Sequence, residues 1–375
     1  MRLKLAASCL FGLEGPQGNE LRHMGMEAVA PENGRVFFET DMNGLARANL
    51  RSRFAERVLL ELGAFPARSF DELFEGVRAL PLEDWLPRDA AFPVEGWSLS
   101  SALHSVPDCQ RIIKKAAAAR LGARYSLGWL PESGAEYRIR FSILKDGCRI
   151  FLDSSGTALH KRGYRPAHNA APLRETLAAA LVDLAGYRGR GELADPFCGS
   201  GTIAIEAALA AKGRAPGINR RFAAERWTNI PAEVWRSERE AARAREYKGE
   251  YRIYASDIDS RALEMARENA RRAGVEQYIE FSRADAREFS RPTENGVIVT
   301  NPPYGERLGE KREAEELLRA FGEAWRGTDW RLCLLSSDEE AERLLGARAD
   351  KRRKLYNGMI KCSLYMYGGA RGGKK

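Results

Sequence analysis

Leu193-Ala194-Asp195-Pro196-Phe197-Cys198-Gly199-Ser200-Gly201-Thr202 decides the fold of the second half of this chain. An apolar strand ends in an acid, a turn with two glycines follows, and the helical Ile203–Ala211 begins. Glycines let backbone approach a ligand closely, and the free N–H groups of a helix start suit an anionic group. The order describes a nucleotide-type cradle in an α/β sheet. Gly199-Ser200-Gly201-Thr202-Ile203-Ala204 also fits the dinucleotide fingerprint Gly-x-Gly-x-x-Ala, which carries little weight alone.

Outward from the cradle the α/β rhythm continues. A helix over Leu173–Leu184 precedes it. A second strand, Arg252–Ala255, runs into Ser256-Asp257-Ile258-Asp259, where an acid can accept from both hydroxyls of a ribose. In dinucleotide enzymes that acid follows the glycines by about 20 residues. Here Gly213–Gly249, with Trp227, Trp235 and many arginines, delays it to Asp257. Ser260–Ala273 reads as a helix closed by Gly274. A third strand, Ile279–Ser282, leads to Asp285, an acceptor for an adenine amino group. A fourth, Val297–Val299, ends at Asn301-Pro302-Pro303-Tyr304. The two prolines remove donors and stiffen the loop. The Asn301 amide oxygen and the Pro302 carbonyl remain as fixed acceptors beside the Tyr304 ring, a set suited to an amino group on a planar ring. A helix over Glu310–Gly327, a strand over Arg331–Leu335 and a hairpin around Asn357-Gly358 complete the pattern. A terminal antiparallel hairpin is foreign to a plain dehydrogenase domain.

At 375 residues the length suits two or three domains. No apolar run is long enough to span a bilayer. The opening Met1–Leu10 reads as a β-strand rather than a signal peptide. The six cysteines form no Cys-x-x-Cys pair and the four histidines are not spaced as ligands, so reduced thiols in a cytoplasmic protein and no metal are expected. The net charge of +8 is unevenly spread: residues 1–98 carry 11 Lys/Arg against 15 Asp/Glu, residues 99–165 carry 12 against 5, and residues 348–375 carry 9 against 1. Basic blocks of this kind point to a polyanion, nucleic acid first.

In the amino half the pattern predicts strands near Lys4–Ser8 and Arg35–Thr40, and a helix from Met42 to Leu62 capped by Asp41 or Asn43. Further helices are expected over Ser69–Leu80 and Asp108–Leu121, with a strand at Trp97–Ser101. A hairpin over Tyr137–Leu144 and Cys148–Asp153 turns at Lys145-Asp146-Gly147. Arg111, Lys114 and Lys115 on the helix, Arg138 and Arg140 on the sheet, and Lys161 and Arg162 in the joining segment His160–Pro166 form the candidate RNA-binding set. His168 reads as structural.

The ordered set Asp195–Gly201, Ser256–Asp259, Asp285 and Asn301–Tyr304 resembles S-adenosylmethionine-dependent amino-methyltransferases of the seven-stranded class. Pro216–Phe222 and His160–Tyr164 narrow the resemblance to the THUMP-domain RNA methyltransferases that modify guanine N2, close to the bacterial 23S rRNA type. The resemblance implies a ferredoxin-like domain over 1–66, a THUMP RNA-binding domain over 67–159 and a Rossmann-like methyltransferase domain over 160–375. It implies that Asp195, Phe197, Gly199, Gly201 and Thr202 hold the methionine part of S-adenosylmethionine. Asp257 would take the ribose, Ile258 and Asp285 the adenine, and Asn301, Pro302 and Tyr304 the target base. Ribosomal RNA is the foremost partner. A tRNA guanine-N2 enzyme, a DNA adenine-N6 enzyme, an RNA-binding protein with a degenerate pocket and a nicotinamide oxidoreductase are the alternatives.

Overall fold

The computed structural model describes residues 2–165, 173–290, 293, 296–303, 308–358 and 360–368, apart from the side chains of 308–310. In chain order the elements are β1 (Leu3–Cys9), α1 (Glu14–His23), β2 (Glu27–Glu32), β3 (Arg35–Thr40), α2 (Met42–Arg51), β4 (Ala55–Pro66), α3 (Phe70–Arg78), β5 (Val94–Leu99), α4 (Val106–Tyr125), β6 (Ile139–Leu144) and β7 (Gly147–Asp153). There follow α5 (Glu175–Leu184), β8 (Glu192–Asp195), α6 (Thr202–Lys212), α7 (Ala232–Ala244), β9 (Arg252–Asp257), α8 (Ser260–Ala273), β10 (Ile279–Arg283), β11 (Gly296–Thr300), α9 (Leu308–Arg326), β12 (Arg331–Ser336), α10 (Ala341–Leu345), β13 (Lys351–Asn357) and β14 (Ile360–Tyr367). They form two units: Met1–Cys9, Gln17–Leu159 and Arg220–Glu240 make one, and Leu10–Pro16, His160–Asn219 and Ala241–Lys375 the other.

The first unit is built on one seven-stranded sheet, β2-β3-β1-β4-β7-β6-β5. The 12-residue β4 joins its halves, pairing β1 through Ala55–Leu60 and β7 through Leu59–Pro66. The expected helix over 42–62 is therefore corrected. It starts as read, with the Asp41 carboxylate accepting from the Gly44 N–H at 2.8 Å, but stops at Arg51. The helix-like spacing of Phe54, Val58 and Leu62 is overridden by a two-residue period, in which Val58 and Leu60 are fully buried. Partners on both sides satisfy the strand's backbone. Tyr137, just before β6, and Ile139, Phe141 and Ile143 within it are buried in the core, as the alternation predicts.

The segment Arg220–Glu240 delays Asp257 in sequence and belongs to this first unit. Trp227 is buried, stacked on Tyr137 at 5.1 Å, and donates its indole N–H to the Glu136 carbonyl at 3.0 Å. Trp235 stacks on Phe222, and the Arg47 guanidinium holds both oxygens of Glu238 at 2.7 and 3.0 Å.

The second unit carries the sheet β10-β9-β8-β11-β12-β14-β13. Its first five strands are parallel, while β14 runs antiparallel between β12 and β13. The strand order reverses between β8 and β11, the place in an open α/β sheet where ligands bind beyond the carboxyl ends. Burial of Ile298, Leu332, Leu334, Phe321 and Trp325 fixes α9 against the sheet. The final hairpin pairs Asn357 with Ile360, so Asn357 is the last residue of β13 rather than part of the turn.

Candidate active site

Asp195 ends β8 and is 1% exposed. Its Oδ1 accepts from the Thr300 hydroxyl at 2.7 Å and the Phe197 N–H at 3.3 Å, tying the cradle to the end of β11. Burial pushes its carboxyl up to about 7 despite those two hydrogen bonds. Gly199 and Gly201 both have positive φ, at +50° and +79°. A side chain on Gly201 would meet the Ala266 Cβ of α8 at 2.9 Å, whereas one on Gly199 would meet no protein atom within 4 Å. Gly201 thus permits helix packing, and Gly199 faces the space for a ligand.

Asp257 ends β9. Its two carboxylate oxygens accept from the backbone N–H groups of Gly199 at 2.9 Å and Asp259 at 3.0 Å, so it also shapes the cradle. Ile258 is 56% exposed, an apolar side chain left uncovered by protein. Asp285 accepts from the Arg287 backbone at 2.9 Å and from its guanidinium at 2.5 Å. The bonds to Arg287 hold that carboxyl below its ordinary range.

Pro196, Phe197, Gly199, Asp257, Ile258, Asp285, Asn301 and Pro302 line one cavity of about 850 Å³, all within the second unit. Asp195, Gly201 and Thr202 are buried and do not line it. Tyr304 lies outside the described residues, as does His168. The opposite wall was missed from sequence: Glu313, Glu316, Leu317 and Ala320 of α9, with Arg287 beside them. Their i, i+3, i+4, i+7 spacing was legible as a helix face, but an acidic face reads equally well as solvated.

The cavity has the size of a small-molecule site. The open space over Gly199, the bare Ile258 and carboxylates at the ends of β9 and β10 fit a ligand with a polar chain, a ribose and a planar ring. These residues fit S-adenosylmethionine.

The candidate RNA-binding residues fare unevenly. Arg162 is corrected: it is buried in the second unit, 3.5 Å from Glu206, and offers no face to a phosphate. With Arg165, 2.5 Å from Glu175, and Tyr164, which donates to Glu206 at 3.1 Å, it makes the expected linker part of a core. In the first unit Arg111 pairs with Asp108, and Lys114 lies 2.6 Å from Glu132 over the Phe92 ring. Arg138 pairs with Glu95 and Glu136, and Arg140 lies 2.7 Å from Asp153. The excess of arginines there is largely spent on internal pairs. Lys115, 5.9 Å over Phe74, and the exposed Lys161 make no ion pair among the described residues.

Comparison with known proteins agrees with this geometry. Residues 162–366 match the RMKL-like methyltransferase domain, residues 67–153 the THUMP domain and residues 4–59 the RlmL ferredoxin-like domain. YpsC of Bacillus subtilis (strain 168) is 45% identical over 97% of this chain and 95% of its own. Ribosomal RNA large subunit methyltransferase K/L of Psychromonas ingrahamii is 37% identical over 93% of this chain, which spans 48% of that relative's length. Among solved structures, SMU.472 complexed with SAH is 39% identical, with a TM-score of 0.93 over 99% of each chain. A chain from Listeria monocytogenes str. 4b F2365, named as a predicted N6-adenine-specific DNA methylase, is 44% identical, with a TM-score of 0.94 over 98% of this chain and 97% of its own. A cradle fitted to S-adenosylmethionine, three domain matches in order and relatives of this likeness converge: the chain belongs to the THUMP-domain, S-adenosylmethionine-dependent RNA methyltransferase family.

Proposed function

We propose that this enzyme methylates the exocyclic N2 amino group of a guanine in RNA, with ribosomal RNA of the large subunit as the first candidate and the cytoplasm as its place of work. The observation that carries the reading is the convergence of Asn301 and Pro302 with Gly199, Asp257 and Asp285 on one cavity. S-adenosylmethionine, when bound, supplies an electrophilic methyl group. Asp257 receives the ribose, Asp285 the adenine amino group and Ile258 the adenine face.

The amide oxygen of Asn301 and the carbonyl of Pro302 accept the two hydrogens of the target amino group. That orientation turns the nitrogen lone pair toward the methyl donor and favours the nitrogen's tetrahedral form as the bond develops. Pro302 and Pro303 hold the acceptors stiffly. The base enters unpaired or flipped from its stack, with Tyr304 as its ring partner. The name of the K/L relative and the THUMP match support RNA and the ribosome.

The acceptor geometry serves any aryl amine, and the name of the Listeria chain keeps adenine N6 of DNA as a second reading. Incubation of the enzyme with rRNA, tRNA and DNA from a deletion strain, followed by nucleoside analysis, tests both. N2-methylguanosine in rRNA is expected. N6-methyladenine in DNA with unmodified rRNA would overturn the proposal.

A further inference from the structure

The turn Leu10–Pro16 belongs to the same unit as β13 and β14. It is clamped to the edge strand. Arg353 donates through Nη2 and Nε to the Gly12 carbonyl at 2.6 and 3.1 Å. Gly12 has φ +90°, and a Cβ there would lie 2.7 Å from the Lys354 carbonyl oxygen, so only glycine permits this approach. The Gly12 N–H is held by Glu14 at 2.9 Å.

The turn buries Leu13 yet leaves a ring exposed. Phe11 is 57% exposed, set edge-on to Tyr356 at 6.2 Å. Lys354 shares the strand face of Tyr356, with its ammonium 5.4 Å from the ring centre. Lys361 lies directly across from Tyr356 and reaches Glu339 at 3.2 Å. Nearby Glu342 is taken by Arg352. Lys351 and Lys354 are exposed and make no ion pair among the described residues. Lysines on an edge strand guard against pairing with other chains, but the exposed Phe11 ring and the half-buried Tyr356 beside it contribute nothing to that guard.

Register places this patch beside the active site. Thr300 of β11 is level with Leu334, Ser336 of β12 pairs with Ser363, and Ser363 pairs with Lys354. Lys354 is therefore level with position 302, and Tyr356 stands beyond it, at the end of the sheet that holds the cavity. Three strand spacings separate β11 from β13, about 14 Å, or roughly four stacked nucleotide rises.

We propose that Phe11, Tyr356 and Lys354 form a stacking platform for unpaired nucleotides flanking the target base. The rings take base faces, which every base offers, and Lys354, on the strand face of Tyr356, faces a phosphate. The inference rests on the reading of RNA as substrate. Its test uses the full enzyme and unmodified rRNA, with Phe11→Ala, Tyr356→Ala and Lys354→Ala compared with the parent. Each ring loss should raise the Kd and KM for RNA roughly five- to hundredfold, with kcat and S-adenosylmethionine affinity kept within about twofold, and Phe11→Trp should restore binding. Parental RNA binding in the alanine variants would overturn the platform while leaving the reading of RNA intact. A parent enzyme that neither binds nor methylates RNA would instead overturn that reading. Joint loss of cofactor affinity and thermal stability, without rescue by tryptophan, would show that the rings only pack.

Discussion

Asn301 and Asp195 carry opposite burdens in the cavity region. Asn301 follows β11 on a proline-stiffened loop and lines the cavity. Replacing it with alanine removes a positioned acceptor, so turnover should fall by about 10²–10³, while S-adenosylmethionine affinity stays near the parental value. Single-turnover rates and a separate titration of the cofactor check this, and near-normal turnover refutes the role. Asp195 is buried, with its carboxyl raised from 3.8 to about 7. The folded state keeps a proton that the unfolded chain gives up near pH 4. Stability from this group is therefore fully present below pH 4 and declines as pH rises to about 7. Asp195→Asn lacks that decline. In thermal melts without cofactor, the variant should gain on the parent between pH 5 and pH 8, and a pH-independent difference would contradict the account.

At the scale of elements, two contacts explain how the chain spends its irregular stretches. Gly201 lets α6 start against α8, and Gly201→Ala adds a Cβ 2.9 Å from Ala266 at φ +79°. A loss of about 1–3 kcal/mol is expected, read as a lower urea midpoint with an unchanged slope. The segment Arg220–Glu240 anchors Trp227 on Tyr137 within the first unit. Trp227→Ala should cost about 3–5 kcal/mol, measured by denaturant titration, with the loss seen in the first unit's hydrogen exchange. An unchanged midpoint would show that the insertion does not stabilise that unit.

Across the whole molecule, charge is the property the folded state revises most. The basic count of residues 99–165 suggested a broad cationic surface, but Arg111, Lys114, Arg138 and Arg140 are all paired internally. Fewer phosphates are then neutralised than the count implies. Plots of log Kd against log salt should be shallow, and Lys115→Gln and Lys161→Gln should each reduce the slope by about 0.7–0.9. Slopes insensitive to both lysines would remove them from the RNA contact.

The sequence by itself determined the class of the second unit and pointed to most of the residues that line its candidate site. Asp195 and Asp257 end their strands, and Phe197, Gly199, Asp285 and Asn301 lie in the loops just beyond strand ends; backbone geometry ties such residues to local motifs that need no distant partner to be read. Phe54–Leu62 was misread because local spacing admits helix and strand alike, and only pairing with β1 and β7 decides between them. Likewise Arg162 reads as a surface cation until Glu206, 44 positions on, is brought beside it. The α9 wall of the cavity, the placement of Trp227, and Phe11 against Tyr356 all join residues far apart in the chain. Which side chains meet across such distances is set by packing and strand register, and only the tertiary structure decided it.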